Sequence, residues 1–198
     1  MIDVVVIGGG PAGASAALFL AKAGLSVVVV DAGQGITKKA WIRNHLGLPD
    51  VTGPELVELG RRQATAFGAR WIDGTVVDAS REGDGFRLIV ERDGDRETLK
   101  ARQLLLATGL WTDLAERIGV HIVPAKEPRV KANVAVDPEG RTNVPGVWAA
   151  GTVAGASVHT IVTAGDGARV AINLLSALRG ERYVDHDLLS DRPAGPTA

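Results

Sequence analysis

Runs of consecutive apolar residues broken by glycine-rich turns dominate the start of the chain. Residues 2–7 (IDVVVI) make an apolar, valine-rich run of strand length, the pattern of a parallel strand buried on both faces. Residues 8–13 form a glycine turn. Residues 14–23 then carry alanine and leucine at helical density and stop at Gly24, a suitable left-handed helix end. Residues 26–30 are a second buried strand, closed by Asp31, so the opening segment predicts one βαβ unit.

Beyond it, residues 32–50 have no clear period and are expected as a long loop, whose length points to function. Thr52, Pro54 and Glu55 spell a capped helix start, and Leu56, Leu59, Gln63 and Phe67 follow at helical spacing. Residues 75–80 read as a strand. Residues 86–91 and 97–101 alternate about Asp93-Gly94, the pattern of a β-hairpin, and residues 104–106 as a separate buried strand. The interval 110–129 holds one helical turn at most and a connection. Residues 133–136 suggest a strand and 137–140 a turn, 147–150 a third parallel-type strand, and 164–178 the last helix. The fold expected is α/β: a Rossmann-like domain with a central parallel sheet and a small antiparallel hairpin or meander layer. It is expected as a single domain over residues 1–180, followed by a loose polar tail over 181–198.

Composition narrows the function. With 198 residues, 45% hydrophobic and 23% charged, and a net charge of -1, the chain has no electrostatic reason to bind nucleic acid or an anionic membrane. It contains no cysteine, which excludes disulfides, cysteine-ligated zinc and internal dithiol chemistry. The apolar stretch 14–30 is interrupted by Lys22 and Gly24 and does not read as a membrane span. The opening residues do not read as a secretory signal, so a cytoplasmic location is expected. The histidines at 45, 121, 159 and 186 show no metal-ligand spacing, and Ser157 is not in a nucleophile elbow.

The chemistry lies first in Gly8-Gly9-Gly10-Pro11-Ala12-Gly13, which follows a strand, opens a helix and leads to an acidic residue at the end of the next strand. Gly8 permits the tight turn, Gly10 lets the backbone approach a diphosphate, and Gly13 lets helix and strand pack closely. The helix N-terminus favours the diphosphate charge, and Asp31 is placed to accept hydrogen bonds from ribose hydroxyls. An adenine dinucleotide is expected; whether it is NAD or FAD this motif alone does not decide.

Further segments speak to that choice. The run from Ile7 to Gly13, Asn44-His45-Leu46-Gly47-Leu48-Pro49, Thr52-Gly53-Pro54-Glu55-Leu56, Ala107-Thr108-Gly109, the stretch from Asn143 to Gly151, and Thr163-Ala164-Gly165-Asp166-Gly167 occur in this order. Together they resemble the thioredoxin reductase group of FAD- and NAD(P)-dependent pyridine nucleotide–disulphide oxidoreductases, over most of the chain. The resemblance implies FAD. By position it assigns Gly8, Gly10, Pro11, Ala12 and Gly13 to the diphosphate, Asp31 and its neighbour Ala32 to the ribose, and Asn44 to the flavin side. Val76 or Val77 is assigned to the adenine, and Ala107, Thr108, Gly109, Gly151 and Thr152 to the middle of the cofactor. His159, Thr163 and Ala164 fall in the segment implied to pass the isoalloxazine. His159 is a candidate for tuning flavin N5 protonation or binding substrate, with a plain polar filler as the alternative. Trp41 and Trp111 stand beside the expected cofactor loops.

The chain departs from the group in three respects. The interval 110–129 is too short for the group's second nucleotide-binding domain, no Cys-x-x-Cys is present, and Thr152 stands where the group has Asp. A flavoprotein oxidoreductase is therefore expected whose electrons come from free NAD(P)H or from an external electron-transfer or disulfide protein. The alternative is a non-catalytic FAD-binding or sensor subunit. A homodimer is expected, because losing a domain uncovers apolar surface.

Overall fold

The computed structural model describes residues 1–191. Strand β1 (Ile2–Ile7), helix α1 (Pro11–Lys22) and strand β2 (Val27–Asp31) form the opening βαβ unit, with β1 and β2 parallel. The helix starts inside the glycine motif rather than after it, because Pro11 occupies the first helical turn, where its missing N–H costs nothing.

The stretch expected as a structureless loop contains a 3₁₀ turn at Ile36–Lys39 and a strand β3 (Trp41–Ile42) that pairs antiparallel with β4 (Val51–Thr52). Helix α2 (Gly53–Ala66) opens with the expected capping box: the Glu55 amide donates to the Thr52 hydroxyl, and the Thr52 amide donates to the Glu55 carboxylate at 2.8 Å. Strand β5 (Arg70–Asp73), absent from the sequence reading, adds parallel to β2 at the sheet edge. Only Ile72 is buried and Trp71 partly so, between the exposed Arg70 and Asp73, so its sequence has no buried run to show.

Strands β6 (Thr75–Glu82), β7 (Gly85–Arg92) and β8 (Asp95–Leu106) form an antiparallel meander. Strand β8 is continuous, where two separate strands are expected from sequence. Its first half pairs with β7, and its last residues run parallel between β1 and β11 (Val147–Ala149). Between them lie helix α3 (Asp113–Arg117) and the small ladder of β9 (Ile122–Pro124) with β10 (Ala132–Val134). Helix α4 (Thr160–Arg179) closes the fold.

The alternation of side chains along the parallel strands sorts them into two cores. Val4, Val6, Val27, Val29, Leu105 and Trp148 face α1 and α4. Val5, Ile7, Val28, Val30, Leu104 and Leu106 face the meander and the segment around α3 and β10. Cover on both faces is why these strands read as unbroken apolar runs. Helix α4 is by length and composition apolar enough to cross a bilayer, but Val170, Ala171, Leu174 and Leu175 are buried in the core it shares with α1.

The start of the tail, expected to be loose, is docked. Tyr183 is buried in the α1–α4 core and its amide donates to the Ser176 hydroxyl at 3.0 Å. The Lys22 ammonium lies 3.0 Å from Asp185 and 2.7 Å from Asp187. The composition of 181–187 is polar, and the one aromatic that anchors it gives no periodic signal. The rest of the expected loose tail, residues 192–198, lies outside the described residues.

Candidate dinucleotide site at the carboxyl edge of the sheet

The carboxyl ends of β1, β2, β8 and β11 converge on a cavity of about 350 Å³. In open α/β sheets this edge is where ligands bind. The glycine turn forms its floor, and each glycine there has a different physical reason. At Gly8, with φ +106°, a Cβ would overlap the Ala107 carbonyl. At Gly13 a Cβ would overlap the Gly8 carbonyl, so this glycine lets α1 pack onto the turn. At Gly9 a Cβ would overlap the Trp71 ring and crowd Asp31, whose Oδ1 accepts the Gly9 amide at 3.2 Å. Gly10 differs from all three: a Cβ there meets nothing within 4 Å, and the residue lines the cavity. Packing of the protein does not explain that glycine.

Of the residues singled out from sequence, Gly8, Gly10, Pro11, Ala12, Asp31, Ala32, Val76, Ala107, Thr108, Gly109, Thr152 and Thr163 form part of the cavity wall. Gly13 lies behind the wall as a packing residue. Val77 does not line the cavity: the ladder slips between Val76 and Asp78, and the Val77 carbonyl accepts a long 3.4 Å hydrogen bond from Arg117. Gly151 also sits outside the wall. Its φ of +79° and its amide, which donates to Asp166 Oδ2 at 2.7 Å, set the turn that presents Thr152. Thr152 is buried, and its carbonyl accepts from the buried Asn133 side chain at 2.7 Å.

Asn44, His159 and Ala164 are not brought to this cavity. Asn44 is exposed on the turn after β3. Ala164 lines a second cleft of about 300 Å³ between α1, α2 and the 45–48 turn, which shares Pro11 with the first. His159 is the exposed N-cap residue of α4, its Nδ1 2.8 Å from the Ser157 hydroxyl, while its neighbour Val158 does line the cavity.

Sequence reasoning missed other wall residues. Gln34, Gly35, Ile36 and Thr37 come from the loop after β2, and Gly74 and Thr75 from the β5–β6 turn. Asp113, Leu114 and Arg117 come from α3. The loop's length was the only signal for the first group. The α3 residues sit in a segment whose pattern is too short to place. Trp111, noted from its position, is on the wall and 57% exposed.

A parallel sheet with a glycine turn at its carboxyl edge and an acidic residue closing the second strand defines a dinucleotide-binding α/β domain. The family model described as pyridine nucleotide-disulphide oxidoreductase matches residues 2–130, and the chain belongs to that family. It is 33% identical over 113 residues to a thioredoxin reductase of Aquifex aeolicus, covering 54% of this chain and 33% of that one. It is 35% identical over 115 residues to thioredoxin reductase 1 of Saccharomyces cerevisiae, covering 54% and 36%. The chain thus spans about a third of the length of these curated relatives. Among solved structures, a thioredoxin reductase from Gloeobacter violaceus superposes with a TM-score of 0.74 at 21% identity, over 94% of this chain and 98% of that one. An oxidoreductase from Agrobacterium tumefaciens gives 0.75 at 19%, over 91% and 99%. Both share the fold.

Proposed function

We propose that the chain binds FAD in the cavity at the carboxyl edge and works as a flavin-dependent oxidoreductase, with electrons supplied by free NAD(P)H or by a separate protein. The observation that carries this reading is the open space beside Gly10, at the start of α1, in a turn whose other glycines are accounted for by packing. The donor set fits the cofactor. The first-turn amides of α1 face a diphosphate, the Asp31 carboxylate stands at the end of β2 for the ribose, and the buried Thr152 offers a hydroxyl from the opposite wall. The flavin supplies hydride or one-electron chemistry when bound; the chain's part is to hold it, orient it and shield one side from water. Residues 1–180 serve as one flavin domain in this reading, and 110–129 as a connection rather than a nucleotide domain. A cytoplasmic location belongs to the same reading. A homodimer belongs to the same reading, and a monomer at micromolar concentration in sedimentation velocity overturns that part.

Absorbance of the desalted protein tests the cofactor: a bound flavin spectrum is expected, and its absence after reconstitution with FAD overturns the reading. Anaerobic NADH and NADPH then test the donor. Rapid bleaching supports direct hydride transfer, whereas an intact spectrum leaves a partner-fed enzyme or a binding module. Replacing Thr152 by Asp is expected to tighten FAD by about tenfold, since a charged hydrogen bond adds roughly 1 kcal/mol or more over a neutral one.

A further inference from the structure

The turn after β11 is held by two side chains that come from opposite faces of the sheet and stay out of the cavity themselves. Asp166, on α4, accepts the Gly151 amide through Oδ2 at 2.7 Å. Its Oδ1 accepts the Arg169 guanidinium at 2.8 and 3.0 Å, and that guanidinium also donates to the Pro138 carbonyl. The carboxylate is thus engaged on both oxygens and only 14% exposed, so it holds backbone and has nothing left for a ligand. Asn133, buried on β10, donates through Nδ2 to the Thr152 carbonyl at 2.7 Å. That carbonyl already accepts the Gly155 amide at 3.0 Å, so Asn133 adds a restraint that satisfying the backbone does not require. What the two restraints leave free is the Thr152 side chain. It is buried and lines the cavity, and among the described residues no hydrogen bond engages its hydroxyl. Buried hydroxyls ordinarily have a partner, and the direction left open to this one is the cavity.

Strand order says which part of a ligand meets that hydroxyl. Residues 104–106 of β8 pair with β1 on one side and with β11 on the other, and β2 lies beyond β1. Three strand spacings, roughly 14 Å, therefore separate the Asp31 end of β2 from the turn after β11. A dinucleotide with its ribose at Asp31 and its diphosphate at Gly10 reaches Thr152 only with the half beyond the diphosphate. We propose that Asp166 and Asn133 are positioning residues: they fix the backbone that aims the Thr152 hydroxyl at that half, and so tighten FAD without touching its ADP part. The proposal rests on the FAD reading above. A contact group held in place before the ligand arrives loses little freedom on binding, which is why two buried side chains behind one hydroxyl raise affinity.

Calorimetric titration of the full chain, freed of flavin, with FAD and separately with ADP tests this. Asp166→Ala and Asn133→Leu are each expected to weaken FAD about fivefold to tenfold, as Thr152→Val does, while ADP changes by less than about twofold. Asp166→Asn keeps an acceptor for the Gly151 amide and is expected to recover most of the loss. On a Thr152→Val background neither replacement is expected to weaken FAD by more than about a further twofold, because the group they position is gone. Equal losses for FAD and ADP overturn the proposal, since damage to the fold spares neither ligand. Losses that add in full to that of Thr152→Val overturn it too, as does unchanged FAD affinity in both variants; in each case the FAD reading stands. Should Asp166→Ala not fold, Asn133→Leu decides alone, because the Thr152 carbonyl keeps the Gly155 amide. A native chain that binds ADP but not FAD overturns the FAD reading and this proposal with it.

Discussion

At the scale of single residues, the glycine motif separates what the chain needs in order to fold from what it keeps for a ligand. Gly8 and Gly13 sit against carbonyl oxygens, and any side chain there must displace backbone. Gly10 has ordinary backbone angles, φ -70° and ψ -175°, and faces open space at the N-cap of α1. A serine at that position can cap the helix while it fills the room left for a diphosphate. Gly10→Ser is therefore expected to keep or slightly raise the melting temperature while weakening FAD at least about tenfold, read by flavin titration. Gly13→Ala is expected to cost about 1–3 kcal/mol of stability by overpacking, in urea unfolding with or without FAD. If both variants lose stability and affinity in proportion, the division between folding and ligand glycines is wrong. The turn and packing roles of Gly8 and Gly13 were legible from spacing alone. The difference between Gly9, packed on Trp71, and Gly10, packed on nothing, was not, because it depends on β5, a strand remote in sequence that the fold brings against the turn.

At the scale of elements, local chemistry was most legible where one cap or one turn decides the boundary. The Thr52–Glu55 box starts α2 where the sequence places it, and Asp93-Gly94 turns the hairpin. Boundaries were lost where tertiary packing overrides local preference. Helix α4 begins at Thr160 and not at Ala164, because its first turn, Thr-Ile-Val-Thr, is β-branched and hides a helix that packing imposes. Strand β8 reads as two because its side-chain pattern changes midway, from one buried face in the meander to two in the parallel sheet. The cap itself is open to test. Thr52→Ala is expected to cost about 1 kcal/mol. The hydrogen bonds from the Thr52 side chain and backbone hold the Glu55 carboxyl below its ordinary value of 4.5. A lowered value in the folded state means the contribution is complete above 4.5 and fades as pH falls through the lower folded value. Urea midpoints of the native chain and of Thr52→Ala should thus differ most at neutral pH, the gap narrowing in acid to what the Thr52 hydroxyl contributes by accepting the Glu55 amide. A gap of the same size at every pH sinks the role of the carboxylate.

At the scale of the whole molecule, the segment after α4 docks back onto α1, away from the cavity. Lys22, at the end of α1, is held by Asp185 and Asp187, which lie just beyond the last helix, and Tyr183 fills the seam between α1 and α4. None of this was legible beforehand: a polar segment carrying one aromatic and scattered acids has no period, and its meaning lies in partners more than 160 positions away. Tyr183 is the only tyrosine, so its ionisation reports this seam without interference. Burial, reinforced by the charge of Asp185, holds its phenol above the ordinary value of 10.0. Because the folded value is the raised one, the seam's contribution is complete below 10.0 and is lost as pH climbs through the folded value. Tyrosinate absorbance is expected to rise above 10.0 in the native chain and at 10.0 in urea, and to vanish in Tyr183→Phe. Lys22→Met removes the ion pairs that clamp the segment but leaves the aromatic in place. It also removes a nearby positive charge that favours tyrosinate. If residues 183–187 stay docked, Lys22→Met must move the titration upward; a shift down to the free-tyrosine value means that the clamp, and not the buried ring, holds this segment in place.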